Sequence, residues 1–123
     1  MKKILLSFLI LSLLPILAAE PEDEIKALIS SLDSCKGCVF VRNGSEHKLD
    51  EAKAHLLRKY DAAKSKIGST EDFIKGLASK SSITGTPYKI KFPDGKEVES
   101  EKWLTDKLSE LRNPSPVKKK KGK

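Results

Sequence analysis

The sequence predicts an α+β fold: one small domain in which helices pack on antiparallel β-hairpins, in the order α-ββ-α-α-ββ-α. Three observations lead there. Apolar residues recur at helical spacing in four segments. Two short runs rich in β-branched or aromatic residues each enclose a turn, Asn43-Gly44 in one and Pro93-Asp94-Gly95 in the other. Helices and hairpins mixed in this way are satisfied by covering an antiparallel sheet with helices.

The chain opens MKKILLSFLILSLLPILAAE, with Lys2 and Lys3 ahead of an apolar run and small residues at Ala18 and Ala19. That pattern predicts a bacterial-type signal peptide over residues 1–19, cleaved near Ala19, and hence an exported, periplasmic protein. No cysteine follows the small residues to take a lipid, and no later stretch is apolar enough to span a bilayer. Removing the leader leaves 104 residues, enough to bury roughly 60–70% of the unfolded surface in a single core. Residues 20–112 are expected to form that domain and 113–123 a disordered basic tail.

Each element follows in turn. An acidic first turn, Glu22 to Glu24, precedes Ile25, Leu28, Ile29 and Leu32 at helical spacing, which suits the positive end of a helix dipole. Gly37 is the expected stop. CVFVRNGSEHKL reads as a hairpin, because Asn43 and Gly44 tolerate the positive φ of a tight turn. Asp50 is the expected cap of a long helix with Ala52, Leu56, Tyr60, Ala63 and Ile67 on one stripe, ended by Gly68. Thr70 is the expected cap of a shorter helix burying Phe73, Ile74 and Leu77. SKSSITGTP is a loop by composition. YKIKF alternates strictly, PDG turns the chain and KEV returns it. Ser100 is the expected cap of a last helix with Trp103, Leu104, Leu108 and Leu111 inward, ended by Asn113 and Pro114. Setting Gly44 against Gly95 aligns two hairpins that each lead into a helix.

The formal charge of +7 changes meaning once it is partitioned. Two of the 24 basic residues lie in the leader and five in the terminal KKKKGK; the 17 that remain equal the 17 acids. A neutral body argues against a nucleic-acid-binding domain, which carries its positive charge on the folded surface. The tail lysines Lys118, Lys119, Lys120, Lys121 and Lys123 suit weak contact with an anionic surface, and no aromatic residue is interleaved for base stacking.

Cys35 and Cys38, in CKGC, allow several chemistries. A redox-active pair needs its first cysteine at a helix N-terminus, where the dipole stabilises the thiolate; here the helix precedes the motif. A c-type haem site needs a histidine after the second cysteine, and Val39 stands there. His47 and His55 complete a two-Cys, two-His set, but eight residues separate Cys38 from His47 and seven separate His47 from His55. A zinc finger uses about 12 and 3–5. Oxidation to a local disulfide is the expectation for an exported chain, with a redox pair, free thiols or an irregular zinc site as alternatives. Cysteine Cα atoms must lie within about 7 Å to be bridged, so residues 35–38 must turn and the strand must start near Cys38. No cofactor is implied.

FVRNG, AKAHLLRKY, TEDFI, ASKSSITGTPY, FPDG and a late WL, in that order, resemble the YfeK-like family of small exported bacterial proteins, a domain of unknown function. The resemblance spans Val39 to Leu111 and implies an exported location. It brings no activity, substrate or catalytic residue. CKGC and the lysine tail fall outside the pattern it rests on.

Core packing does not demand Arg42, Asn43, His55, Lys59 or the loop residues Ser81, Ser82, Thr84 and Gly85. His55 and Lys59 lie one helical turn apart at the margin of the apolar stripe, and Arg42 precedes a turn. With the loop hydroxyls and amides they would suit an anionic or carboxylate-bearing partner, either a periplasmic protein or a small ligand. Tyr88, alternating with Ile90 and Phe92, is assigned to the core. No GxSxG, paired carboxylates or phosphate-cradling glycine loop is present. Three functions remain: a non-catalytic interaction or ligand-binding protein; an enzyme using the Cys35/Cys38 thiols, or His55 with a loop serine; and an envelope-surface binder working through the tail.

Overall fold

The computed structural model describes residues 20–114. The expected leader and the lysine-rich residues 115–123 lie outside the described residues. The element order is the one the sequence predicts: α1 (Pro21–Ser30), β1 (Val39–Arg42), β2 (Ser45–Lys48), α2 (Leu49–Ala63), α3 (Thr70–Phe73), β3 (Lys89–Lys91), β4 (Glu97–Glu99) and α4 (Ser100–Arg112). Short 3-10 turns extend α1 through Ser31–Ser34 and α2 through Lys64–Lys66, and α3 widens into a π-turn over Ile74–Ala78.

Two hairpins make one sheet. Asn43 and Gly44 have φ of 48° and 80°, the two consecutive positive values that a two-residue primed turn requires. This turn pairs β1 with β2, Arg42 against Ser45 and Phe40 against His47. The second hairpin pairs Ile90 with Val98. β1 and β3 then pair antiparallel at the centre, Phe40 against Ile90, giving the order β2-β1-β3-β4. Each hairpin leads directly into a helix, so the chain holds two ββα units, with Gly44 and Gly95 both at positive φ in their turns.

Alternation decides what each strand residue faces. Phe40 and Ile90 point to the helices and are completely buried, while Val39, Val41, Lys89 and Lys91 sit half-buried on the opposite face. There Lys91 reaches Glu46 at 2.7 Å and Lys89 approaches Glu97 at 4.0 Å. That face is therefore a charged, solvated one. On the helix side Ile25, Leu28, Ile29, Leu32, Leu56, Phe73, Ile74 and Leu104 are all at most 2% exposed and form one core with the sheet residues. Tyr60 meets Phe73 edge-on with ring centroids 5.9 Å apart, an arrangement aromatic quadrupoles favour.

Helix starts differ from expectation by one or two residues. α2 starts at Leu49 rather than behind an Asp50 cap, because Lys48 runs extended straight out of β2. Ser69, not Thr70, caps α3: its hydroxyl accepts the Asp72 amide at 3.1 Å. The Thr70 hydroxyl, released from that role, donates to Glu24 at 2.6 Å. Ser100 is the first residue of α4 and its hydroxyl donates to the Ala78 carbonyl in the π-turn. α2 ends as an α-helix at Ala63, before Gly68 is reached, and Leu111 is 42% exposed rather than inward.

CKGC lies where a helix runs out. The Cys35 amide donates to the Leu32 carbonyl and the Cys38 amide to the Cys35 carbonyl, closing a turn from which β1 departs. The two cysteines are disulfide-bonded, with Cα atoms 5.6 Å apart. Gly37 has φ of +76°, and a Cβ there would come within 2.8 Å of Pro93 Cγ. The clipped turn is thus seated on the turn of the second hairpin.

The far end of the fold is tied by Arg112. Its Nε and Nη2 donate to Glu24 at 2.9 and 2.7 Å and its Nη1 to Glu71 at 2.6 Å, joining α4 to α1 and α3. The Glu24 side chain is 16% exposed, and the guanidinium holds its carboxyl below the usual 4.5, with the Thr70 hydroxyl adding to the effect. Arg112→Gln is expected to destabilise the fold at neutral pH by about 1–3 kcal/mol, the cost of a largely buried carboxylate stripped of its main partner. A carboxyl with a depressed folded pKa stabilises above its unfolded value and loses that contribution as pH falls. The gap between wild type and variant, measured by urea unfolding, should therefore shrink below pH 4.5. A gap that is the same at pH 7 and pH 3.5 contradicts the clamp.

Reducing the Cys35–Cys38 bond, or replacing both cysteines with Ser, closes no large loop and is expected to cost about 2 kcal/mol. The far-UV spectrum should survive. Loss of the folded spectrum at 25 °C would mean that the bridge creates the fold rather than securing one junction.

Candidate functional site

Parity places Arg42. It shares the helix side of the sheet with Phe40, and continuing the β1–β3 register by one residue beyond Val41 against Lys89 sets Arg42 across from Tyr88. α2 leaves β2 at the other end of the sheet, where Lys48 pairs with Val39, and runs back until His55 and Lys59 reach Tyr88. Its buried stripe of Ala52, Leu56 and Tyr60 turns the neighbouring positions, His55 and Lys59, toward the rim where Tyr88 emerges.

Tyr88 is 2% exposed and its ring packs on Phe40 at 5.1 Å between centroids. It belongs to the core, as expected, and also to the site, which was not expected. Its hydroxyl is 3.0 Å from Lys59 Nζ and 3.3 Å from His55 Nε2. The Lys59 ammonium also donates to the Lys80 carbonyl at 3.1 Å and sits 4.9 Å from the Tyr88 ring centre. An ammonium only donates, so Lys59 donates to the phenolic oxygen. Where the Tyr88 hydroxyl donates in turn to His55 Nε2, that nitrogen accepts and Nδ1 carries the ring hydrogen.

The electrostatics have one sign. Burial, reinforced by Arg42, Lys59, Arg58 and His47, pushes the His55 imidazole from 6.5 down to about 4. Burial and Arg42 lower the Lys59 ammonium, and burial raises the Tyr88 phenol. No carboxylate is among the groups acting on His55 or Lys59. Elsewhere many cations are matched: Lys26 to Glu22, Lys53 to Asp33, Lys91 to Glu46, Lys102 to Asp106, Lys107 to Glu110 and Arg112 to Glu24 and Glu71. Among the described residues Arg42 and Arg58 have no such partner, nor do the scattered Lys36, Lys48, Lys66, Lys75, Lys80 and Lys96; what sets Arg42 apart is that it acts on two other basic groups, His55 and Lys59.

The loop after the π-turn is held by its own polar groups. Ser81 is 7% exposed; its hydroxyl accepts the amides of Ile83 and Thr84, both at 3.2 Å, and its carbonyl accepts the Gly85 amide at 2.9 Å. The Thr84 hydroxyl donates to Asn43 Oδ1 at 3.0 Å and accepts the Thr86 amide at 3.2 Å. Asn43 is therefore both a turn residue and the dock for the loop. Ser82 is exposed, and Gly85 takes the positive φ of 76° that lets the loop close. Of the eight residues singled out in the sequence, Arg42, His55 and Lys59 converge on Tyr88, while Asn43, Ser81, Thr84 and Gly85 build the wall beside them. The Tyr88 hydroxyl and Arg58 were missed. Tyr88 carries a signal in hindsight, a phenol opening an alternating strand, but assigning its rim position needs the β1–β3 register.

The remaining motifs lie elsewhere. The disulfide sits at the other end of β1, on the order of 10 Å away at the strand's rise per residue. A cavity of about 450 Å³ lies between α1 and α2, lined by Lys26, Ile29, Lys53 and Leu57 among others. Another, of about 330 Å³, lies beside Arg112. Neither contains His55, Lys59 or Tyr88. Among the described residues no group of three His, Cys, Asp or Glu side chains gathers to hold a metal, and no helix is long and apolar enough to cross a membrane.

Fold and site together define the class: an α+β domain of two ββα units, with a face of cations gathered around the hydroxyl of a buried tyrosine. Residues 19–112 match a family of unknown function, DUF5329, and the chain belongs to that family. It is similar to the uncharacterized protein YfeK of Salmonella typhimurium (strain LT2), 43% identical over 70 residues. The match covers 57% of this chain and 58% of that protein's own length. No solved structure matches.

The histidine gives a direct test. A His with a depressed folded pKa takes up a proton less readily than in the unfolded chain, so stability is lost as pH falls from 6.5 toward 4. His55→Gln is expected to flatten the stability profile in that window relative to wild type. The imidazole resonances of His55 should titrate near 4. A midpoint near 6.5 would place the ring in open water and dissolve the cluster.

Proposed function

We propose that this is an exported, periplasmic binding module without chemistry of its own, built on residues 20–112, whose working face is Arg42, Asn43, His55, Lys59 and the loop of Ser81, Ser82, Thr84 and Gly85. The single observation that carries this is the cluster of cations with no carboxylate against them, drawn from β1 and α2 and set around Tyr88. Folding alone gives no return for bringing Arg42 beside a half-buried Lys59, since like charges and desolvation both oppose it. An anionic partner, a protein or a small ligand, supplies the missing charge.

The leader supports the location, and an intramolecular disulfide fits an oxidising compartment. A thiol-disulfide enzyme is the weaker reading, because Cys35 and Cys38 stand at the carbonyl end of a helix, where a thiolate is not stabilised.

A photo-crosslinking side chain at position 82, exposed and beside the cluster, tests the face in intact cells. Adducts identified by mass spectrometry, whether a protein or a small molecule, should be lost when Arg42, His55 and Lys59 are changed to Gln. The mature chain recovered should begin near Glu20. Adducts that are unchanged by the triple substitution reject this surface.

A further inference from the structure

The hydrogen-bonding inventory of the face narrows its partner. Lys59 has three N–H donors, and two are engaged, by the Lys80 carbonyl and the Tyr88 hydroxyl. Its third is free for a ligand. Arg42 adds the planar donor fork of a guanidinium with no partner among the described residues, and Arg42 and Lys59 lie close enough for the first to lower the second. His55, with Nε2 turned to Tyr88, lines the same face and turns its Nδ1 away from the Tyr88 hydroxyl. The charged groups available are all donors, and their formal charge is at least two, rising to three with Arg58.

A carboxylate, with one charge and two oxygens, leaves part of such a face unanswered. A phosphate monoester carries about −1.5 to −2 charges and three acceptor oxygens, which matches two fixed cations and their free N–H donors. From these observations, and resting on the binding role argued above, we propose that the Arg42–His55–Lys59 face binds the phosphate group of a phosphomonoester.

The loop adds a second feature. Ile83 is 93% exposed on a segment pinned by Ser81 and by the Thr84–Asn43 contact. A large apolar side chain is thus held outward beside a site for phosphate. A phosphomonoester at a lipid surface would engage both groups, and a soluble one would engage the cations alone.

Titration of the isotope-labelled protein with inorganic phosphate, against acetate at matched ionic strength and pH 7.5, tests the chemistry. Phosphate is expected to shift the resonances of His55, Asn43 and the 81–86 loop and to bind at least about tenfold tighter than acetate. Arg42→Gln, which removes no hydrogen bond among the described residues, should weaken phosphate by about tenfold without lowering the melting temperature. Bound phosphate should also raise the titration midpoint of His55. Vesicles of phosphatidylcholine with and without phosphatidic acid separate the sources. Capture by phosphatidic acid that is lost in Ile83→Ser identifies a lipid headgroup, and phosphate binding without capture identifies a soluble ester; both uphold the proposal. Equal affinity for phosphate and acetate, shifts confined to the lysine tail, or an unaffected Arg42→Gln variant overturns it. If that happens while the position-82 adducts still depend on the cluster, the binding face stands and only its phosphate chemistry falls.

Discussion

The central pairing of β1 with β3, Phe40 against Ile90, is the constraint on which the rest of the molecule depends. It joins two hairpins that are each too small to be stable alone, and it brings the helices that follow them onto one face. Because side chains alternate strictly along a strand, a slip of β1 by one residue would turn Phe40 to solvent and Val41 to the core. The same register sets Arg42 across from Tyr88. Core and candidate site are thus fixed by one set of backbone hydrogen bonds, and the site cannot be displaced without exposing the largest buried side chains of the sheet.

Helix periodicity, hairpin alternation and the Asn43-Gly44 turn were legible in the sequence because each is a local property: a stripe at helical spacing or two positive φ values. Cap positions were less so. Lys48 and Glu99 pass from strand to helix with no capping side chain, and Ser100 and Thr70 give their hydroxyls to Ala78 and Glu24, residues 22 and 46 positions away. A side-chain acceptor that distant competes with a local cap only in the folded chain. The π-turn at Ile74–Ala78 is likewise tertiary, since it presents the Ala78 carbonyl to Ser100.

The candidate site divides in the same way. His55 and Lys59 could be placed together from helical spacing alone, and Asn43 could be read as a turn residue. That Asn43 also receives Thr84, and that the loop hydroxyls of Ser81 and Thr84 are engaged in holding the loop, required the fold. So did the dual character of Tyr88, whose ring is core and whose oxygen is rim. An alternating pattern says which side of a sheet a residue faces. It does not say whether the far atom of a long side chain reaches the edge of that side.

A structural role accounts for some of these groups and not for others. Lys59 ties the Lys80 carbonyl to the Tyr88 hydroxyl and so helps to seat the loop; a neutral donor at the same place would do this without a buried charge. Arg42 has no comparable task, for it contacts no acceptor among the described residues and makes the charged states of both Lys59 and His55 less favourable. At the opposite end of the domain, Arg112 shows what a structural arginine looks like here: two carboxylates, five-donor geometry well used, and three helices held together. The contrast between these two arginines, in one small fold whose body has equal numbers of acids and bases, is what separates a face built to be completed by a partner from a face already complete.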